Sequence, residues 1–276
     1  MLKRLLLAGA LLAMHQVAFA QQSTIYPLGL AQSKDATFIV DLKLRGVWKS
    51  AGGKLSVFAK AANKIGSPLY APRCIALDND GNVLVGDSAT REVYRLDSTG
   101  KPNPLTNGGI GIPISIAVAK DGTLFVADLE LHRIYQVSGK GSAPKLFASV
   151  LSPRGLAFDS KGNLIVISTR KDQIHRITPD GKSTVVVKGR PFDMPHNVAI
   201  GPDDTMYVTD GLRAKSLWRV TSDGKQEKLI DGKPLVNPIG VTFHGDHLLV
   251  VDSRANAVFR YDLAGKKLTR QNYGSN

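Results

Sequence analysis

Three side chains that could hold or convert a ligand occupy equivalent places along the chain. Arg73, Arg154 and His196 each directly follow a proline, and Asn197 comes next after His196. Two guanidinium groups on one site bind a carboxylate or phosphate through charge-assisted hydrogen bonds. A neighbouring imidazole can accept a proton as a general base. These residue types therefore predict an anion-binding site, provided that the fold brings them together.

The prolines belong to a repeat of about forty residues. Copies begin near six prolines that are 40 to 45 residues apart: Pro27, Pro72, Pro113, Pro153, Pro195 and Pro238. Each copy has two apolar runs around a turn, such as residues 156–158 and 164–167, followed by an alternating segment and a more polar one. Short β-branched runs between turn residues predict antiparallel strands. A fixed period of this length predicts a repeat architecture.

The repeats predict an all-β fold, a six-bladed β-propeller with four antiparallel strands in each blade. Segments that are apolar throughout, such as residues 83–85 and 124–126, need cover on both faces. Radial stacking of the blades provides that cover, and closing the ring removes the exposed end faces. We predict that residues 21–276 form this single propeller. The first strand of each blade is then innermost, and the residue after each opening proline faces the central tunnel.

The first twenty residues have the layout of a secretory signal peptide. Lys3 and Arg4 precede an apolar core at residues 5–13, and Ala18 and Ala20 form a small-x-small cleavage site. The apolar core is too short for a membrane span, and no later stretch reaches that length. We therefore expect a cleaved signal peptide at residues 1–20 and an exported, monomeric protein, periplasmic or extracellular. Cys74 is the only cysteine, which excludes an internal disulfide.

The repeat pattern resembles a known group of propellers. The form Pro-x-x-Ile/Leu-Ala, then Gly-x-Leu-x-Val-x-Asp, then Arg-Ile is clearest at residues 113–137. It resembles the NHL repeat and the related gluconolactonase/regucalcin-like propellers, over residues 24 to about 272. The resemblance implies the six-bladed fold. It leaves the activity open, because such propellers include binding proteins, lactonases and lyases.

The resemblance also implies where a metal would lie. Resemblance to the gluconolactonase-like enzymes implies a metal site made of Glu, Asn and Asp side chains. These side chains would lie at, or next to, the residue that follows each repeat proline. The residues there are Leu28, Arg73, Ile114, Arg154, His196 and Ile239. Because none is a carboxylate, calcium is disfavoured. Similarity to the streptogramin-lyase and peptide-amidating-lyase propellers would imply histidines on several blades. Only His196 matches, so zinc is disfavoured too, and we predict no metal and no cofactor.

We predict that Arg73, Arg154, His196, Asn197 and Ser115 contact the ligand. The alternative for the two arginines is that each pairs with an acid at the end of a second strand, such as Asp87 or Asp128. For His196 the alternatives are a tunnel-lining role, contact with the ligand, and catalysis. If the protein is an enzyme, a lactone hydrolase or a lyase is expected, and we favour a binding protein over either.

Two further series of residues recur with the repeat. The second strands end in an acid in five copies and in serine in one: Asp41, Asp87, Asp128, Ser168, Asp210 and Asp252. This recurrence predicts a structural role, in which each side chain accepts backbone N–H bonds from the following loop. That loop carries arginines predicted to gather on the tunnel-mouth face and to dock an acidic partner: Arg91, Arg133, Arg170, Arg213 and Arg254.

The overall charge agrees with an acidic partner. The formal net charge is +13, or +11 without Lys3 and Arg4 of the predicted signal peptide. Such an excess of positive charge favours anionic ligands. Nucleic acid fits the charge but not the export signal. We therefore expect an anionic small molecule, a glycan or an envelope protein as the partner.

Overall fold

The computed structural model describes residues 25–139, 141 and 143–275, so that the predicted signal peptide lies outside the described residues. Six antiparallel sheets are arranged as blades around a central tunnel. Blade 1 has β1 (Pro27–Gln32), β2 (Thr37–Asp41), β3 (Gly46–Ala51) and β4 (Lys54–Lys60). Blade 2 has β5 (Pro72–Leu77), β6 (Val83–Asp87), β7 (Glu92–Leu96) and β8 (Pro102–Pro104). Blade 3 has β9 (Pro113–Val118), β10 (Leu124–Asp128), β11 (Arg133–Val137) and β12 (Lys145–Ser149).

The other three blades follow in chain order. Blade 4 has β13 (Pro153–Phe158), β14 (Leu164–Ser168), β15 (Ile174–Ile177) and β16 (Ser183–Val187). Blade 5 has β17 (Pro195–Ile200), β18 (Met206–Asp210), β19 (Ser216–Val220) and β20 (Gln226–Asp231). Blade 6 has β21 (Pro238–His244), β22 (His247–Asp252), β23 (Ala257–Asp262) and β24 (Lys267–Arg270). A last short strand, β25 (Gly274–Ser275), lies beside β4.

The prediction of a six-bladed, four-stranded propeller is confirmed. Each inner strand begins at one of the six repeat prolines, where the missing N–H group costs no ladder hydrogen bond. The second strands β6, β10, β14 and β18 are buried at every residue, as expected for strands covered on both faces. None of the described residues form a helix long and apolar enough to cross a membrane.

The hydrophobic core is divided among the six interfaces between blades. Val40 of blade 1 packs with Val85 of blade 2, and the same kind of cluster recurs at each later interface. The sixth cluster joins Val251 of blade 6 to Ile39 of blade 1 and closes the ring. Tyr273, just before β25, packs against this last cluster. Residues from the C-terminal end of the chain thus reinforce the edge of the first blade.

The recurring acids organise the loops at the tunnel mouth. Asp128 is fully buried, and its carboxylate accepts N–H groups of the following loop from Glu130 at 3.0 Å and Leu131 at 3.2 Å. It also accepts N–H groups of the preceding loop from Gly111 at 2.8 Å and Ile112 at 3.1 Å. The predicted role is confirmed for Asp128, and the structure adds the preceding loop. The remaining four aspartates bind both loops or the preceding one: Asp41, Asp87, Asp210 and Asp252.

Replacing Asp128 by alanine should lower the free energy of unfolding by about 3 kcal/mol, because buried N–H groups lose their acceptor. Urea denaturation of the purified variant measures this change. Asp121→Ala is the matched control, since Asp121 is an exposed turn residue on the same blade that accepts one backbone N–H group. Equal stability of the two variants would contradict the organising role of Asp128.

Candidate functional site

The candidate site is the mouth of the central tunnel. The inner strands of all six blades line a cavity of about 610 Å³ there. The structure places all five predicted ligand contacts in its wall: Arg73, Ser115, Arg154, His196 and Asn197. Cavities of this size commonly hold small molecules.

A β-bulge in each inner strand turns one side chain toward the tunnel. In blade 2, Pro72 pairs with Asp87 and Cys74 with Gly86, so that Arg73 is an extra residue without a cross-strand partner. The same shift occurs in the other five blades and leaves His196 unpaired in blade 5. A bulge redirects a side chain and locally interrupts pairing. The side chain of the bulged residue in each blade therefore points toward the tunnel.

The two arginines do not pair with the acids of the second strands. Nε of Arg73, which is exposed, donates to Oγ of Ser88 at 2.9 Å. Neither Arg73 nor Arg154 takes part in an ion pair among the described residues. The alternative of pairing with Asp87 or Asp128 was wrong, because backbone N–H groups already occupy those two carboxylates.

Arg154 is the more deeply buried of the two cations. Its Nε is buried and has no hydrogen-bond partner. Burial, together with the positive charge of Arg73, lowers the pKa of the Arg154 guanidinium. An arginine side chain nevertheless stays charged, because its ordinary pKa is so high. The tunnel mouth therefore holds a partly desolvated positive charge without a counter-ion from the described residues.

His196 lies on the blade next to Arg154. Burial, with the positive charge of Arg154, lowers the pKa of His196 to about 4. The imidazole is therefore neutral at neutral pH, and its Nε2 is buried without a partner. A methyl group on Gly211 would lie 2.8 Å from Cδ2 of His196 and 2.7 Å from Oδ1 of Asn237. The absence of a side chain at Gly211 thus makes room for the imidazole.

Two of the predicted polar contacts are engaged by the fold itself. Oγ of Ser115 accepts the N–H group of Leu156 on the neighbouring blade at 3.1 Å. Oδ1 of Asn197 accepts the N–H group of Val198 at 2.8 Å. Both side chains line the cavity with one acceptor position already used. Their donor groups, the Ser115 hydroxyl and the Asn197 amide, remain suited to an anion.

Asn237 and Ser253 are among the polar residues of the cavity wall that the sequence analysis did not predict. Oδ1 of Asn237 accepts the N–H group of Leu212 at 2.8 Å, and its Nδ2 donates to Oγ of Ser253 at 3.0 Å. Asn237 precedes a repeat proline and Ser253 follows a second strand, whereas most of the predicted contacts directly follow a repeat proline. Comparing the residue before each proline across the repeats would have found Asn237.

The donor set of the cavity suits an anion and does not fit a divalent cation. None of its lining residues is Asp or Glu. Among the described residues, no group of three or more His, Cys, Asp and Glu side chains is placed to hold a metal ion. Calcium requires several oxygen ligands, and guanidinium groups repel cations. Arg73, Arg154 and neutral His196 instead offer hydrogen-bond donors to an oxyanion.

The predicted basic loops lie on the same face as the tunnel mouth, since the end of each second strand pairs with the start of the first. All five arginines are exposed: Arg91, Arg133, Arg170, Arg213 and Arg254. Arg91 forms an ion pair with Glu130 at 2.9 Å, and Arg213 forms one with Asp193 at 3.6 Å. The face is therefore basic, although acids partly neutralise two of its five arginines.

Sequence comparisons with known proteins matched a family model and a relative. The model of the Virginiamycin B lyase family matches residues 60–270. NHL-repeat-containing protein 4 of Homo sapiens is 31% identical over 93 residues, which cover 30% of this chain and 76% of that protein.

Solved structures show the same fold. Virginiamycin B lyase from Staphylococcus aureus has a TM-score of 0.69 at 18% identity, covering 90% of this chain and 84% of that one. A gluconolactonase from Xanthomonas campestris has a TM-score of 0.71 at 18% identity, covering 89% and 86%. A nidogen/laminin complex contains a chain with a TM-score of 0.68 at 22% identity, covering 87% and 90%. The predicted resemblance to NHL and gluconolactonase-like propellers is confirmed.

The pKa of His196 should be close to 4 and should rise in the Arg154→Ala variant, which removes a positive charge and admits water. Because the pKa is lower in the folded state, the neutral imidazole stabilises the fold above about pH 6.5, and this stabilisation is lost as the pH falls toward 4. NMR titration of the imidazole resonances measures the pKa of His196 in the unaltered protein and in the variant. His175, on β15, is the control whose titration should not change; a pKa of His196 unaffected by the substitution would contradict the electrostatic coupling.

Proposed function

The chain belongs to the virginiamycin B lyase family, and from this premise we propose that its central tunnel binds an anionic small molecule at the mouth. The observation that carries the proposal is Arg154, a charged side chain whose buried Nε has no partner in a wall without carboxylates. Burying a charge costs several kcal/mol unless it is paired. A bound anion would supply the missing partner.

The second arginine strengthens the argument. The positive charge of Arg73 contributes to the lowered pKa of Arg154, because the two guanidiniums repel each other. An anion between them replaces this repulsion by two attractive, hydrogen-bonded contacts. Neutral His196 adds a donor or an acceptor at Nε2 without adding charge. The site is thus preorganised for one oxyanion group.

The wider surface supports the delivery of such a ligand. The exposed arginines of the loops, such as Arg170 and Arg254, lie around the mouth and share its sign. A single-sign face attracts oppositely charged molecules and raises their association rate. If residues 1–20 act as the predicted signal peptide, the ligand is a periplasmic or extracellular anion, either free or part of a glycan or envelope component.

The double variant Arg73→Ala/Arg154→Ala should lose at least about tenfold in affinity for carboxylates, because hydrogen bonds to charged groups contribute about 1.5–3 kcal/mol each. Isothermal titration calorimetry with acetate, benzoate, citrate and inorganic phosphate measures this loss. The melting temperature should not fall, because neither arginine has an ion pair among the described residues.

The matched control is Arg170→Ala/Arg254→Ala, which removes the same charge from the same face outside the tunnel. It should retain the affinity and lose only part of the association rate. Equal losses in the two double variants would show that net charge, and not the tunnel site, holds the anion.

A second candidate function is a lyase reaction, which the state of His196 favours. A lyase eliminates a group from its substrate and needs a base to remove a proton. An imidazole with a pKa near 4 and an unpartnered Nε2 is already in the unprotonated form that accepts one. Its low pKa also makes it a weak base, which is why we place binding first.

Quinupristin tests the lyase directly, since a catalytically inactive virginiamycin B lyase of Staphylococcus aureus is described with this compound. Liquid chromatography with tandem mass spectrometry would detect conversion of quinupristin incubated with the protein, including conversion to an isomer of the same mass. If the second candidate is correct, His196→Ala should abolish turnover, while His175→Ala, which removes a histidine of β15 outside the cavity wall, should retain it. Absence of turnover by the unaltered protein would contradict a lyase acting on that substrate.

A further inference from the structure

Below the cationic mouth, the tunnel wall changes from polar to apolar. The fourth residue of every inner strand is aliphatic and lines the cavity: Leu30, Ile75, Ile116, Leu156, Val198 and Val241. These six residues form what we call the aliphatic ring. It lies two residues further along each strand than Arg73, Arg154 and His196, so that a molecule held at the mouth reaches it directly.

The apolar wall continues toward the far end of the tunnel. Leu77, Phe158, Ile200 and Phe243, each at the sixth position of its strand, also line the cavity. At about 3.3 Å per residue, the second and sixth positions of a strand are about 13 Å apart. The polar side chains that line this end of the cavity are Thr242 of blade 6 and Gln32 of blade 1. The cavity is therefore a cationic opening above an apolar channel.

We propose that the ligand is an amphiphilic anion, a carboxylate head group with an apolar alkyl tail. This inference rests on the proposed function and adds the substrate class. The head group would lie on the guanidiniums of Arg73 and Arg154, and the tail would pass the aliphatic ring. Each methylene transferred from water to an apolar wall contributes about 0.8 kcal/mol, or about fourfold in affinity. A small polar anion uses the mouth alone and gains nothing from this wall.

The volume and charges of the tunnel agree with such a ligand. A cavity of about 610 Å³ is within the range that encloses small organic molecules. Because the lining contains no carboxylate, no group in the wall repels the head group or competes for the arginines. The charge lies at one end only, which fixes the direction in which the tail enters.

A series of straight-chain carboxylates tests the inference. Acetate, butyrate, hexanoate and octanoate are titrated at neutral pH by isothermal titration calorimetry into the purified protein. Affinity should rise along the series, with octanoate binding about two-hundredfold more tightly than butyrate, since it has four more methylenes. Competition between octanoate and acetate should show that both use one site.

Variants separate the tail from the head group. Val241→Thr places a hydroxyl in the aliphatic ring with little change of shape, and Ile75→Thr places a hydroxyl there and also removes the terminal methyl group. Both should reduce the advantage of octanoate over butyrate several-fold and leave acetate binding unchanged. Thermal unfolding verifies that each variant is folded, and the two positions on different blades serve as replicates of one another.

The outcomes distinguish this inference from the proposal on which it rests. Equal affinity along the series, with loss of binding in Arg73→Ala/Arg154→Ala, would overturn the amphiphilic ligand and leave the anion site standing. Failure to bind any of the four carboxylates would overturn both. Octanoate binding that survives the loss of both arginines would overturn the head-group contact and hence the proposed orientation.

Discussion

Packing between neighbouring blades is the constraint on which the rest of the structure depends. Each blade has a second strand that is buried on both faces, so that no blade can bury its own apolar surface. The six clusters each draw on two blades, and the last joins Val251 to Ile39. Because this last cluster covers the outer faces of blades 6 and 1, the ring is closed and the inner strands are held side by side. The tunnel is a consequence of that closure.

One position in the inner strand of each blade, the residue after the repeat proline, does not take part in the strand pairing. The bulge leaves the second residue of every inner strand without a cross-strand partner. Both neighbours of that residue remain in the ladder in five blades, whereas in blade 4 Gly155 is unpaired as well. The buried aspartates hold the adjoining loops, and so the bulge does not depend on its own side chain for support. The position can therefore carry Leu, Arg, Ile or His without a change of fold. Site chemistry and fold stability are thereby separated in this propeller.

The sequence allowed the fold and the location of the site to be predicted, because both follow from a regular repeat. The spacing of the prolines indicated six inner strands, and a closed ring then brings Arg73, Arg154 and His196 to one mouth. The repeat carried no signal for β25, since a two-residue strand has no periodicity. It also gave no signal for the short β8, whose prolines at residues 102 and 104 interrupt a strand pattern.

The details of the site depended on contacts that the sequence does not encode locally. Whether Arg73 and Arg154 pair with nearby acids was left open, and the structure shows that backbone N–H groups already occupy those acids. The position of Asn237 before a repeat proline is visible in the sequence, but its contacts with Leu212 and Gly211 of the preceding blade are not. Repeat spacing gives the positions of side chains; it does not give their partners.

One physical cause sets the charge state of the whole tunnel mouth. Desolvation lowers the pKa of both Arg154 and His196, and in each case a nearby positive charge adds to it. Arginine begins so far above neutral pH that it stays charged, whereas histidine begins near neutrality and loses its proton. The mouth therefore keeps two positive charges beside a neutral imidazole. An anion bound at the mouth would raise the pKa of Arg154 and of His196, since its negative charge offsets the repulsion from the nearby positive charge. Anion binding and proton uptake by His196 are linked for this reason, and each must favour the other.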